Sequence, residues 1–375
     1  MQNKKLILLL CSSNPDNEAS VASRLQKGII KQKNYEIWFI SRRTRLNKIL
    51  NCSSWVLDKI LKSNAAIRIL LFPRYPAKTL DVLLFNFYAI FAIELIEKFI
   101  RKKIDLIHLV ESSSTLSRYF KFKRIPFIYE LNTCTVEYFS DIKKNPGIYK
   151  ILQINKFLKK GQNDCFLNSS KIIVPSKFVF NQISYDFQKK TKIVPYYIDN
   201  SLKIKRKKRI NEEMVIGFVG NHSANKGIFQ VMSLASKLKN KPVNFKSFGR
   251  LYKSINIDKS LIKNNGFSTK ENIYSQIDIL ILLSWGEGSA RVIYESISNN
   301  IPVICSIESG APFQEKSWWV SKHNDIEFFK KLILKLLDDK KLISNLIVEQ
   351  KKQLEPYSLK LYRETLKSIY SSILK

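Results

Sequence analysis

Two carboxylates, Glu287 and Glu295, stand eight positions apart in "GEGSARVIYE" (286–295), directly behind the apolar run "IDILILLSW" (277–285). The residues after Glu287 are Gly288, Ser289 and Ala290. Side chains this small let backbone amides approach a ligand closely. If a helix begins near Gly288, its first-turn N–H groups have no intrahelical acceptor and point outward. Glu295 then lies about two helical turns further on, where a carboxylate can accept hydrogen bonds from sugar hydroxyls such as those of a ribose. An ion pair with Arg291, four residues before it, uses the same carboxylate in another way.

A second stretch, "VIGFVGNHSANKGIFQVMSLASKL" (215–238), reads as a strand, a loop and an amphipathic helix. Gly220 lets the chain turn directly off the strand. Lys226 and Gly227 fall at the helix entry, where free amides and the helix dipole favour an anion. A lysine there can neutralise a phosphate, or it can be an ordinary surface cation beside a helix-start glycine. The stretch is not a nucleotide-binding P-loop, because no Ser or Thr follows the lysine; Gly227 and Ile228 do. A third loop, "ESGAPF" (308–313), follows another apolar run and by itself marks a tight turn.

The three histidines, His108, His222 and His323, are far apart in sequence and make no metal-ligand spacing. The five cysteines, Cys11, Cys52, Cys134, Cys165 and Cys305, contain no C-x-x-C pair, which fits free thiols in a reducing compartment. Neither a metal nor a cofactor is expected.

These segments need elements to hold them. Apolar runs recur at 5–10, 35–40, 67–72, 104–110, 125–131, 171–175 and 192–198, and again at 214–220, 243–249, 277–283 and 301–307. They are continuous rather than alternating, and helical stretches separate them. That pattern predicts strands buried on both faces of a parallel α/β sheet. In such sheets ligands bind beyond the carboxyl ends of the strands. The polar loops 11–18, 111–114, 132–135, 221–227 and 284–290 are therefore the expected site lining. The basic run "KIKRKKR" (203–209) interrupts the pattern and is read as part of a solvated linker. With 375 residues, the length fits two or three domains.

The start, "MQNKKLILLLCSS", mimics a signal peptide, but its apolar core is too short and no small-residue cleavage site follows; a first strand is expected. The longest uncharged apolar stretch, 82–93, falls short of the roughly 20 residues of a membrane-spanning helix and is expected to be a buried helix, with an interfacial one as the alternative. The net charge of +33 is spread over both halves and suits anionic lipid, nucleic acid or phosphorylated substrates, or else reflects a Lys-, Asn- and Ile-rich coding bias. No nucleic-acid recognition module or basic–aromatic repeat is apparent, so specific nucleic-acid binding is not expected.

Taken together, "FVGNHSANKG", "FKSFG" and "NNGFSTKENIYSQIDILILLSWGEGSARVIYESISNNIPVICSIESG" resemble, in this order, the GT-B glycosyltransferases. The nearest branch is the retaining family 4 of glycosyl transferases group 1. Glu287 and Glu295 match that family's glutamate pair. The resemblance is strong over about 214–315 and collinear over 1–200. It implies two Rossmann-like, doubly wound parallel-sheet domains facing across a cleft. Residues 1–200 would form the acceptor-side domain, 201–212 the linker and 213–353 the nucleotide-sugar-binding domain. Residues 354–375 would form a helix crossing back to the first domain.

The resemblance also implies roles. Lys226 and Glu287 would be the catalytic pair, with Lys226 on the donor diphosphate. Gly220, Asn221, Gly227, Arg250, Gly288, Ser289, Ala290 and Arg291 would complete the donor site, and Glu295 would hold the ribose. The family usually has arginine where this chain has Asn221, so that phosphate contact would be lost or would come from Arg291 or Arg250. Asn132 occupies the position of a histidine found in many members. Ser12, Asn14, Glu111 and Glu130 are the remaining acceptor-side candidates.

The implied reaction transfers a sugar, with retention, from a nucleoside diphosphate sugar to a glycan or lipid-linked acceptor in surface polysaccharide or glycolipid synthesis. The leaving phosphate would help deprotonate the acceptor, so no hydrolase-type carboxylate pair is needed. The expected setting is cytoplasmic, with possible peripheral contact to the inner face of an anionic membrane. A relative that binds nucleotide sugar or a partner glycosyltransferase without turnover is the alternative.

Overall fold

The structure, a computed structural model, describes residues 4–11, 24–25, 35–42, 67–72, 78–110, 115–132, 154–197, 204, 213–251, 255–313 and 315–375. The chain divides into two compact units. One comprises residues 1–174, 182–194 and 360–375; the other comprises 175–181 and 195–359.

The first unit is built on seven strands: β1 (Lys5–Cys11), β2 (Tyr35–Arg42), β3 (Ile67–Phe72), β4 (Leu106–Val110), β5 (Phe127–Glu130), β6 (Lys171–Val174) and β7 (Thr191–Ile193). They are hydrogen-bonded in the order β3-β2-β1-β4-β5-β6-β7, every pair parallel. The order reverses between β1 and β4, which makes the sheet doubly wound. All five residues of β4 are buried, as are six of the seven in β1. That is why these runs are apolar without alternation.

The crossover helices are α1 (Lys78–Lys98), α2 (Ser117–Phe122) and α3 (Ile154–Asn168), followed by the short α4 (Lys177–Asn181) and α5 (Tyr185–Gln188). The apolar stretch 82–93 lies within α1 but is not wholly buried. Phe85, Ala89, Ala92 and Ile93 face the core, while Phe87 and Phe91 are exposed. Among the described residues no helix is long and apolar enough to cross a membrane.

The second unit carries β8 (Met214–Val219), β9 (Val243–Phe248), β10 (Lys263–Asn264), β11 (Ile279–Leu282), β12 (Val303–Ser306) and β13 (Val320–Ser321). Their order is β10-β9-β8-β11-β12-β13, again all parallel, with the reversal between β8 and β11. The edge pairs β10 and β13 have only two residues each, too short to leave a periodic signal in sequence. Helices α6 (Ile228–Lys237), α7 (Lys270–Tyr274), α8 (Arg291–Ser298), α9 (Ile326–Asp338) and α10 (Lys340–Leu354) complete it. The buried Gln350 of α10 donates to the Val303 carbonyl at 2.6 Å and accepts from the Val303 amide at 2.9 Å. It thereby satisfies backbone groups of β12 that the short β13 does not reach.

The last helix, α11 (Leu359–Ile373), lies almost entirely in the first unit. Tyr362, Leu366, Ile369 and Tyr370 form its buried stripe at helical spacing. Tyr370 hydrogen bonds to His108 Nδ1 at 2.8 Å, and Ser371 to the Tyr35 hydroxyl at 2.9 Å. Cys11, Cys165 and Cys305 are buried free thiols. Burial pushes the Cys305 thiol up to about 12, against a hydrogen bond from Ser309, so it stays protonated and unreactive. Most of the basic run 203–209 lies outside the described residues, as do Cys52 and Cys134.

Candidate active site

The site residues of the second unit gather at the reversal point of its sheet. In a doubly wound sheet, helices leave adjacent strands toward opposite faces at the reversal, and the strand-end loops part to leave a crevice. Here the loops after β8 and β11 flank that point, and the loop after β12 joins them.

The first loop runs from Gly220 to Gly227. Gly220 turns off β8 at φ 148°, and a 3-10 turn at Ala224–Lys226 leads into Gly227 at φ 79°, the N-cap of α6. Gly227 is required twice over. Its φ is left-handed, and a Cβ there would stand 2.0 Å from the Leu283 carbonyl oxygen. The loop is thereby pressed against the end of β11.

The second loop, 283–290, is tied to the first. The Trp285 amide donates to the Asn225 carbonyl at 3.1 Å, and its indole N–H donates to the Ala224 carbonyl. The third loop is stitched on by Glu287 N–H to the Glu308 carbonyl at 2.8 Å and Ala290 N–H to the Ser309 carbonyl at 3.2 Å. Gly310, at φ 63°, would place a Cβ 2.3 Å from the Gly288 carbonyl oxygen. Behind the loops, Glu308 accepts from the His323 amide at 3.0 Å and hydrogen bonds its Nδ1 at 3.0 Å, while the His323 ring stacks on Trp285.

This stitching brings Lys226 and Glu287, 61 residues apart, into an ion pair. Ser284, buried at the end of β11, donates to the other Glu287 oxygen. The pair is only partly buried, the Glu287 side chain 11% and the Lys226 side chain 29% exposed. An incoming anion can therefore reach the ammonium. Ala290 is the N-cap of α8 and has no oxygen to cap the first-turn amides.

The helix α8 starts at Arg291 rather than near Gly288, so Glu295 lies about one turn into it, where it is held by three groups. The Tyr274 hydroxyl donates to one oxygen at 2.9 Å; Lys270 at 3.0 Å and Arg291 at 3.1 Å pair with the other. Arg291 is thus paired with Glu295 in this structure. Burial, reinforced by the neighbouring Glu295, pushes the Tyr274 phenol well above its ordinary range, so it acts as a donor at any relevant pH. Lys270 and Tyr274 were not singled out in the sequence. Their trace there is an i, i+4 pair behind the N-cap Thr269, whose hydroxyl accepts from Asn272 N–H at 3.3 Å.

The remaining candidates sit around these. Asn221 and Arg250 are exposed at the ends of β8 and β9, and the Arg250 carbonyl accepts from the His222 amide at 2.9 Å. Ser289 is buried and hydrogen bonds to Tyr294 at 3.0 Å. His222 is fully buried against Phe218, and among the described residues neither ring nitrogen has a hydrogen-bond partner. Burial lowers the pKa of the ring, outweighing the opposing effect of the nearby Arg250 backbone.

In the first unit, Ser12, Asn14 and Glu111 lie outside the described residues. Glu130 is buried at the end of β5, paired with Arg24 through one oxygen and with His108 Nε2 at 3.0 Å through the other. Both of its oxygens are engaged. Arg24 also reaches Asn132 at 3.5 Å. Burial pushes the Glu130 carboxyl up, but the Arg24 charge and the His108 hydrogen bond outweigh it and hold it below its ordinary range.

Two parallel doubly wound sheets, with a lysine–glycine helix entry and a glutamate pair at one reversal point, define the GT-B fold. Solved structures share it over the whole chain. Anabaena HepE in complex with UDP and glucose superposes with a TM-score of 0.67 at 14% identity, covering 98% of this chain and 100% of its own. Sucrose-phosphate synthase from Thermosynechococcus elongatus gives 0.73 at 13% identity, covering 99% of each chain. Residues 200–353 match the family model described as Glycosyl transferases group 1. The capsular polysaccharide biosynthesis glycosyltransferase CapM of Staphylococcus aureus is 26% identical over 195 residues, covering 47% of this chain. The match spans 51% of that relative's length.

Proposed function

We propose that the protein is a glycosyltransferase that moves a sugar from a nucleoside diphosphate sugar to a glycan or lipid-linked acceptor, with retention of configuration. The observation that carries this reading is the joining of Lys226 and Glu287 across two strand-end loops, with Glu295 about one turn into α8. The UDP in the HepE structure and the capsule role in the name of CapM support a nucleotide-sugar donor and a surface-polysaccharide product.

In this reading the diphosphate enters between the α6 and α8 entries. Lys226 exchanges its carboxylate partner for a phosphate oxygen. Glu287, released but still held by Ser284, turns to the sugar hydroxyls. Glu295 accepts from the ribose while Tyr274 and Lys270 keep it in place. As the glycosidic bond breaks, negative charge grows on the departing diphosphate. The Lys226 ammonium and the uncapped amides of α8 are fixed where that charge appears, which is the arrangement that lowers such a barrier. The departing phosphate takes the acceptor proton, so no metal or separate base is assigned.

The test is release of free nucleoside diphosphate across a panel of nucleotide sugars offered with lipid-linked and glycan acceptors. Transfer that depends on Lys226 and Glu295 is expected. No release with any donor, together with unchanged behaviour of Glu295→Ala, overturns the reading. Donor binding without product would point instead to a binding protein, a reading favoured by Asn221 standing where a phosphate-contacting arginine is usual.

A further inference from the structure

We propose that the first unit carries a membrane-docking edge, formed by Phe99 and Phe122 with the cations around them, that binds an anionic bilayer surface. Two helices carry it. The α1 helix ends at Lys98 and feeds β4 through 99–105; α2 ends at Phe122 and feeds β5 through 123–126. Because β4 and β5 are paired and parallel, both helix ends lie at the amino-terminal edge of the sheet. That edge is opposite the carboxyl ends where a substrate would bind.

At each helix end the chain presents the same arrangement. Phe99 is 83% exposed, with Lys98 before it and Arg101 and Lys103 after it; Phe122 is 82% exposed, between Lys121 and Arg124. Arg101 and Arg124 both take the left-handed conformation that ends their helices, at φ 53° and 54°. The ends are clamped side by side. Lys123 pairs with Glu94 at 2.9 Å and Glu97 at 2.8 Å, and the Tyr119 hydroxyl donates to Glu94 at 2.7 Å. Asp164, beside Lys121 and Phe122, is paired with Arg118 at 2.7 Å, so these three nearby carboxylates are occupied. Arg101, Lys103, Lys121 and Arg124 are left without a carboxylate partner among the described residues.

Phe91 and Phe87 are also exposed on α1, eight and twelve residues before Phe99. They share a face with each other but sit about 80–120° round the helix from Phe99, so they widen the apolar surface rather than prolong it. Exposed rings set among unpaired cations suit a bilayer interface. The rings enter the headgroup region while Lys and Arg extend to lipid phosphates. The overall charge of +33 acts in the same direction. A nucleic acid would want a track of cations rather than exposed phenylalanine rings between them.

The test is flotation of the full chain with vesicles of phosphatidylcholine, with or without phosphatidylglycerol. Binding is expected only to the anionic vesicles at ~50 mM salt and is expected to weaken at ~500 mM. Phe99→Ser with Phe122→Ser should weaken it by about tenfold or more, because two interfacial rings are lost. Val348→Ser, which removes an exposed apolar side chain in the second unit, should leave it unchanged. Should the phenylalanine variant fail to fold, Lys121→Glu with Arg124→Glu, confined to exposed side chains, takes its place with the same expected loss.

The proposal is overturned if the wild-type protein ignores anionic vesicles or the variants bind as well as it does. It is also overturned if the variants instead abolish self-association or RNA binding. The readout needs no donor or acceptor, so its failure leaves the transferase reading untouched, and absence of transfer leaves this one untouched.

Discussion

Glu130 and Glu287 occupy comparable places in the two units. Each stands at or just beyond the carboxyl end of a parallel strand, and each pairs with a cation distant in sequence. Their surroundings differ. Glu130 is buried, with Arg24 on one oxygen and His108 on the other, and His108 passes the contact on to Tyr370 of the last helix. Glu287 is partly open, and its partner Lys226 more so. A buried pair cannot exchange its partner without leaving a bare charge in a low-dielectric interior. A partly solvated pair can, since water and an incoming phosphate compensate. The same chemistry therefore makes a lock in the first unit and a displaceable latch in the second.

The largest expected effect breaks the lock. Glu130→Ala leaves the Arg24 charge buried and should cost about 3–5 kcal/mol of stability, measured by urea unfolding. Glu287→Ala, by contrast, should change stability by less than ~1 kcal/mol. If the two losses are equal, the contrast between lock and latch is wrong.

Next in size is the latch. Under the proposed function, Lys226→Ala should lower kcat/KM for transfer by about 10²–10³-fold, the usual scale for a fixed charge-stabilising donor. Glu287→Gln separates its two roles. It frees Lys226, so nucleoside diphosphate should bind more tightly by calorimetry while transfer falls. Weaker binding would show that Glu287 does not compete with the phosphate.

A smaller effect is expected at the Glu295 support. Tyr274→Phe removes one hydrogen bond to a carboxylate and should weaken nucleoside diphosphate binding by about tenfold, corresponding to about 1.5 kcal/mol. Unchanged binding would mean that Lys270 and Arg291 alone hold Glu295.

The smallest effect concerns pH, and its sign is the same in both units. Glu130 has a lowered pKa, so the folded protein binds fewer protons here than the unfolded chain. Its stabilising share is complete above the ordinary carboxylate range and is lost as pH falls through the lowered value. The buried His222 also has a lowered pKa, and its share is lost as pH falls below the ordinary histidine range. Thermal unfolding against pH should therefore show an upper step that His222→Phe removes and a lower step that Glu130→Gln removes. An upper step that persists in His222→Phe belongs to another group.

The strands were largely legible in sequence because parallel strands buried on both faces must be apolar throughout. The runs at 5–10, 104–110, 214–220 and 277–283 each contain one. The edge strands β10 and β13 were not legible, being too short for any period. The stretch 82–93 misled in part. Its composition reads as buried, but composition cannot say which face of a helix meets the sheet, and Phe87 and Phe91 meet none. The loop glycines were visible as turn residues. That Gly227 fits against the Leu283 carbonyl, and Gly310 against that of Gly288, was not.

By itself the sequence determined which residues are neighbours along one element. The spacing puts Glu287 in the loop before a helix and Glu295 inside it, and the Lys-Gly step ends a loop, because helix and strand periods are local properties. Tertiary structure alone decided the partners. Lys226 meets Glu287 because the sheet order sets β8 beside β11, and Lys270 and Tyr274 reach Glu295 from a separate helix. It also decided that one glutamate is sealed and the other open. Burial depends on what packs from far along the chain, and no local period records it.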